Sequence, residues 1–228
     1  MPSFRDFYGS NRGGGLYSEA LSQRLGAATA LVASRAGVRP TTLTLANLVI
    51  GLSASALVVA RADDWSTWIG VAALIGWQVA YVLDCSDGQL ARVTGQRSAS
   101  GARVDILCDV ASQIALVAAI SAVAVAQSDA PAWLAAAFAG TWMVNLVTSV
   151  LQSGPEAASM VPSRSLPVRI VKLVRDPGLV FLAAGLVLAI APDLAIWYAA
   201  AFTLINGVFL LASIAFAARS AYRTPAAP

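Results

Sequence analysis

Histidine is absent from the 228 residues, cysteine occurs only twice, and 12% of the chain is charged. Each scarcity excludes something. Two thiols as far apart as Cys85 and Cys108, with no imidazole available, do not make a zinc site. A soluble domain carries about 25% charged residues, so a water-facing globule is a poor fit. The basic segments are short and lack interleaved aromatics, which argues against nucleic acid as a partner. No internal repeat is evident, and no low-complexity tract beyond a general richness in alanine.

What fills the chain is apolar: 58% of its residues are hydrophobic. Runs near 41–60, 65–83, 104–126, 132–151, 178–191 and 195–218 are candidates for bilayer-spanning helices. The fifth is short unless its flanks extend it. The first begins too far along the chain for a signal peptide, so none is expected. These runs predict an all-α polytopic membrane protein with six transmembrane helices. The expected organisation is a cytoplasmic arm and juxtamembrane helix over 1–40, a membrane domain over 41–218 and a tail over 219–228.

The scarce charge is distributed unevenly. Arg5, Arg12, Arg24, Arg35 and Arg39 precede the first run; Arg92, Arg97 and Arg103 lie between the second and third. Arg164, Arg169, Lys172 and Arg175 lie between the fourth and fifth, and Arg219 and Arg223 follow the sixth, leaving Arg61 alone on the other side. The positive-inside rule then predicts an integral plasma (inner) membrane protein with both termini and the 84–109 segment in the cytoplasm. The net charge of +3 suits anionic headgroups. Both thiols then face a reducing compartment, and each is expected to be a small buried residue rather than half of a disulfide.

Residues 1–15 read as a loose, glycine-rich arm. Residues 16–36 read as a helix with Leu21, Leu25, Ala28 and Val32 on one face and Glu19, Gln23 and Ser34 on the other. Arg24 and Arg35 flank the apolar stripe, as in a helix lying along the cytoplasmic membrane surface. Gly37 and Pro40 end it. Asp176-Pro177 reads as an N-cap followed by proline at the first helical position. Asn47, Gln78 and Asn145, polar within spans, suit helix–helix hydrogen bonds or a cavity lining.

Four of the twelve acidic residues fall between 84 and 109. Asp84, Asp87, Gly88 and Ala91 sit at helical spacing i, i+3, i+4, i+7, so the second span continues beyond the bilayer with both carboxylates on one face. Gly101, Asp105, Cys108 and Asp109 form a second stripe at the start of the third span. Residues 93–100, with Gly95, make the turn that faces the stripes towards each other. Four carboxylates in a partly dehydrated site cannot all remain ionised without compensation. Protons supply it; two divalent cations supply it better, and oxygen ligands favour magnesium, manganese or calcium. Paired metals suit phosphoryl chemistry. Gly88 and Gly101 leave room for a ligand or a facing helix, and Arg92 is suited to a phosphate. A solvated loop of scattered charges would not put four aspartates on two stripes beside glycines.

The residues D-x2-D-G-x2-A-R-x8-G-x3-D-x3-D, Asp84 to Asp109, resemble the signature of the CDP-alcohol phosphotransferase (CDP-alcohol phosphatidyltransferase) family without a mismatch. The resemblance implies transfer of a phosphoalcohol from a CDP-linked donor to a hydroxyl, with release of CMP. It implies that Asp84, Asp87, Asp105 and Asp109 hold two divalent cations, Mg2+ or Mn2+, and that Asp109 is also the general base. The same aspartates Asp84, Asp87 and Asp105, with Gly88, Ala91, Arg92 and Gly101, would form the nucleotide pocket. The family is typically homodimeric, with a site open to cytoplasm and lipid. CDP-diacylglycerol is the expected donor and a small polar alcohol, such as an inositol phosphate, the expected acceptor. A soluble donor such as CDP-inositol is the alternative. Arg164, Arg169, Lys172 and Arg175 suit a phosphorylated acceptor, with Arg175 favoured, although topology alone accounts for such a cluster. A transporter would carry charge deeper in its spans, and a scaffold would need no ligand geometry.

Overall fold

A computed structural model describes residues 2–11, 15–151 and 176–223. Among them all regular structure is helical. The elements are α1 (Phe4–Gly9), α2 (Gln23–Arg35, entered through a π-helical turn Ser18–Ser22), α3 (Pro40–Ala60), α4 (Thr67–Val93), α5 (Ala99–Ser128), α6 (Ala132–Leu151), α7 (Pro177–Ile190) and α8 (Ala195–Arg223). Four segments are long and apolar enough to cross a membrane: Pro40–Ala60, Thr67–Val93, Ala99–Ser128 and Pro192–Ala215. Ala132–Val144 and Pro177–Ile190 are apolar but shorter.

The N-terminal arm is ordered where it is described. Asp6 accepts from the Ser3 backbone nitrogen at 2.7 Å and from Ser3 Oγ at 2.8 Å, closing the first turn of α1. Phe7 is fully buried among Ala27, Ala30, Ala33, Leu43 and Leu90. One aromatic ring set against small residues converts the expected loose arm into a packed one.

α2 turns the expected stripe outward. Its buried face is small, with Gly26, Ala27, Ala30 and Ala33, while Leu21, Leu25 and Val32 stay exposed. Small residues let α2 lie close on α4, where a Cβ on Gly26 would meet Cys85 Cβ at 3.0 Å. Gly37, at φ 68°, ends α2 in a Schellman turn: Val38 N donates to Ala33 O at 2.9 Å and Gly37 N to Ser34 O at 3.3 Å.

α4 and α5 have 27 and 30 residues, so at 1.5 Å per residue they run about 40 and 45 Å, beyond a hydrocarbon core of about 30 Å. The surplus carries the acidic residues. Gly95 at φ 72° makes the turn between the two helices, and Ser98 Oγ caps α5 by accepting from Gly101 N at 3.0 Å.

α7 crosses α4 through two glycines. A Cβ on Gly70 would run into the Leu188–Ala189 backbone, and one on Gly185 would meet Leu74 at 2.6 Å. The wider core joins Val58, Ile69, Trp77, Ile120, Phe138 and Leu188 among others. Trp77 Nε1 donates to Ser55 Oγ and Trp142 Nε1 to Gln113 Oε1, each at 3.0 Å, so both indoles are satisfied inside it.

Candidate active site

The extended ends of α4 and α5 bring their stripes together. One carboxylate oxygen from each of Asp84, Asp105 and Asp109 lies within 4.8 Å of the others. Carboxylates this close cannot all stay ionised without a shared proton or a cation between them. Asp87 is buried on the adjacent turn, and its Oδ2 accepts from Thr44 Oγ1 of α3 at 2.5 Å. All four aspartates line one pocket of about 240 Å³, with Asn11, Gln23, Cys85, Gly88 and Arg92.

These residues fit a divalent cation. The donors are hard carboxylate oxygens, three of them already convergent. Asp105 Oδ1 is buried with no hydrogen-bond partner among the described residues, which leaves a lone-pair acceptor awaiting a ligand. Arg92 lies across Gly88: a Cβ there would meet its Nη1 at 2.9 Å. The missing side chain therefore gives the guanidinium its place on the pocket wall, beside Asp105. A cation and an acid cluster sharing one wall can take hold of an anion and its counterion together.

The expected nucleotide residues divide. Gly88, Arg92, Asp84, Asp87 and Asp105 line the pocket, whereas Ala91 and Gly101 do not. Gly101 belongs instead to the first turn of α5, where a Cβ would meet Ser98 Oγ at 2.9 Å. Arg164, Arg169, Lys172 and Arg175 lie outside the described residues, as does the side chain of Asn145. Gln78 is a tie between elements, accepting from Tyr17 Oη at 2.9 Å and donating to Gly178 O at 3.3 Å. Asn47 is buried away from the pocket lining. Both thiols are free; Cys108 is buried, and Cys85 is half-buried at the border of the pocket.

Three polar residues at the site escape sequence reading. Asn11 and Gln23 line the pocket and Thr44 holds Asp87, yet none lies in a motif; packing of α1, α2 and α3 on α4 brings them there. Asp176 is the N-cap its Pro177 suggests, accepting from Gly178 N at 3.1 Å. It is also fully enclosed, and accepts from Ser18 N at 2.9 Å and from Ser18 Oγ. Ser18 Oγ lies 2.8 Å from Tyr81 Oη, one turn before Asp84. The carboxylate thus ties the N-terminal segment to both α7 and α4.

Fold and site together define an all-α integral membrane protein with an acid-lined pocket between two of its long apolar helices. The chain matches the CDP-alcohol phosphatidyltransferase family over residues 38–211, well over half its length, and it belongs to that family. It is a transferase of phospholipid synthesis that moves a phosphoalcohol from a CDP-alcohol to an alcohol acceptor. No curated protein matches the chain.

Proposed function

We propose that the donor is CDP-diacylglycerol and that the phosphatidyl group passes to the hydroxyl of a small polar acceptor, an inositol phosphate being the favoured example, with CMP released. The observation that carries this reading is the convergence of Asp84, Asp105 and Asp109 in a pocket that also contains Arg92. Asp84, Asp87, Asp105 and Asp109 would hold two divalent cations, magnesium or manganese. Bound there, the cations offset the carboxylate charge and that of the donor diphosphate.

The remaining work belongs to the chain. Arg92 binds a diphosphate oxygen, and Gly88 leaves the space in which it does so. Ala91 and Gly101 shape the approach to the nucleotide. Asp109 accepts the acceptor hydroxyl's proton as its oxygen bonds to the phosphatidyl phosphorus. The bond from that phosphorus to the CMP oxygen breaks, and CMP departs with the electron pair. Arg164, Arg169, Lys172 and Arg175 would hold a phosphorylated acceptor.

The molecule is read as six spans with a surface helix over α2, both termini and the pocket cytoplasmic, in the inner membrane and as a homodimer. Exposed Leu21, Leu25 and Val32 support the surface position of α2, since an apolar face left unburied by protein favours lipid.

The test is CMP release by purified protein from CDP-diacylglycerol, with and without magnesium or manganese, across inositol, inositol 1-phosphate, glycerol 3-phosphate and serine. Metal-dependent release with one acceptor names the product. No release with any acceptor, followed by release from CDP-inositol, would transfer the assignment to a soluble donor.

A further inference from the structure

Besides carboxylates and a guanidinium, the pocket lining includes two primary amides, Asn11 and Gln23. Both precede residue 38, so the family match does not reach them. Asn11 is held in a defined orientation. Its Nδ2 donates to Tyr8 O at 2.8 Å, and its Oδ1 accepts from Gln89 Nε2 at 2.9 Å. Gln89 is itself fixed, because the same Nε2 donates to Gln23 O at 3.0 Å. Two backbone carbonyls, which can only accept, therefore determine which way each amide faces. Gln89 is completely buried and has little freedom to turn.

A pinned amide still has capacity to spare. Asn11 has one N–H and one oxygen lone pair not used by Tyr8 and Gln89, and the residue is only partly buried where it borders the pocket. Directed into the pocket, the unused N–H and lone pair would present a donor and an acceptor whose order the two bonds fix. The pairing edge of cytosine offers an amino donor next to a ring acceptor; uracil offers the reverse. A freely rotating amide serves either base. One that cannot turn over, meeting a base whose register the attached diphosphate sets, suits cytosine N4–H and N3 but faces uracil O4 and N3–H with acceptor against acceptor and donor against donor, which costs affinity.

We infer that Asn11 reads the base of the CDP-linked donor, and that Gln89 is a positioning residue that stops the Asn11 amide from turning over. The inference rests on the proposed transfer reaction and adds the source of its preference for cytidine. The N-terminal arm is then part of the nucleotide site: the Asp6 cap and buried Phe7 organise α1, α1 presents Tyr8 O, and Tyr8 O orients Asn11.

The experiment uses the full chain in nanodiscs with magnesium and CDP-diacylglycerol, and compares inhibition of CMP release by CMP and by UMP, followed directly by their thermal stabilisation of the protein. In the natural chain CMP should bind better than UMP by about tenfold or more, the scale of a misplaced hydrogen-bond pair. Asn11→Ala should bring the ratio close to one. Gln89→Leu, which keeps the buried volume and removes the pin, should lower the ratio while leaving CMP binding detectable; it also stands as an independent variant if Asn11→Ala does not fold. A variant that loses affinity for both nucleotides equally, leaving the ratio unchanged, would make Asn11 a structural tie and overturn the inference with the transfer reaction intact. Absence of metal-dependent CMP release from every CDP-alcohol in the natural chain would remove the reaction and the inference together.

Discussion

At the scale of single residues, the four aspartates are not equivalent. Asp84, Asp105 and Asp109 converge, whereas Asp87 directs an oxygen to Thr44. Asp109→Asn is expected to abolish turnover, because an amide cannot take the acceptor's proton, while some binding of the CDP donor persists. Asp84→Asn should lose both, since Asp84 converges with Asp105 and Asp109 on the proposed cation site. Calorimetry with manganese and CMP, run beside a turnover assay, separates the two, and normal turnover in all four Asp→Asn variants would refute the mechanism. Thr44→Val tests the newly found partner. It keeps shape and removes a hydrogen bond to a carboxylate, worth about 1.5–3 kcal/mol, so manganese affinity should shift by roughly ten- to hundredfold. The direction distinguishes roles: weaker binding means that Thr44 aims the carboxylate, tighter binding that it competes with the ion.

At the scale of elements, glycine decides which helices touch. Gly70 sets the α4 backbone against that of α7, Gly185 makes room for Leu74 of α4, and Gly26 lets α2 rest on α4 beside Cys85. Gly185→Leu should force α7 off α4, an overpacking cost of about 1–3 kcal/mol. A thermal melt should fall by about 2–4 °C per kcal/mol for a chain this size, and a melt equal to the natural chain would contradict the close crossing. The two acidic stripes were legible in the sequence because helical spacing within one helix is a local property: i, i+3 and i+4 positions converge wherever the helix goes. The Asp176 cap was legible for the same reason, lying next to Pro177. Thr44 and Asn11 were not. They reach their partners across 43 and 78 residues of chain, through helix crossings set by Phe7 and small-residue packing rather than by any repeat or motif. Leu21, Leu25 and Val32 of the apolar stripe stay exposed, whereas Gln23, placed on the opposite polar face, is buried; packing of α2 through its small residues was not visible from hydrophobicity alone.

At the scale of the whole molecule, the surface has the composition that a water-soluble protein buries. Large apolar side chains such as Ile75, Ile190, Leu204 and Leu211 are exposed by more than half, while the contacts between helices are rich in alanine and glycine. In lipid, association comes from close approach of backbones rather than from escape of apolar groups from water, so this inversion is the expected arrangement. The two ends of the bundle also differ. Trp68, Trp133 and Trp197 are exposed in the first turns of α4, α6 and α8, at the end opposite the aspartate pocket, as an interfacial aromatic belt requires. Arg61 and Asp64 pair at 3.0 Å on that same end, whereas Arg92, Arg97 and Arg103 surround the pocket end. This polarity predicts the orientation in the membrane. With Cys85 and Cys108 replaced by alanine, Asp63→Cys should react with a membrane-impermeant maleimide in right-side-out vesicles. Ser100→Cys, exposed in the first turn of α5 at the pocket end, should react only in inverted ones. The opposite labelling would turn the molecule over, and the pocket could then not draw a soluble acceptor from the cytoplasm.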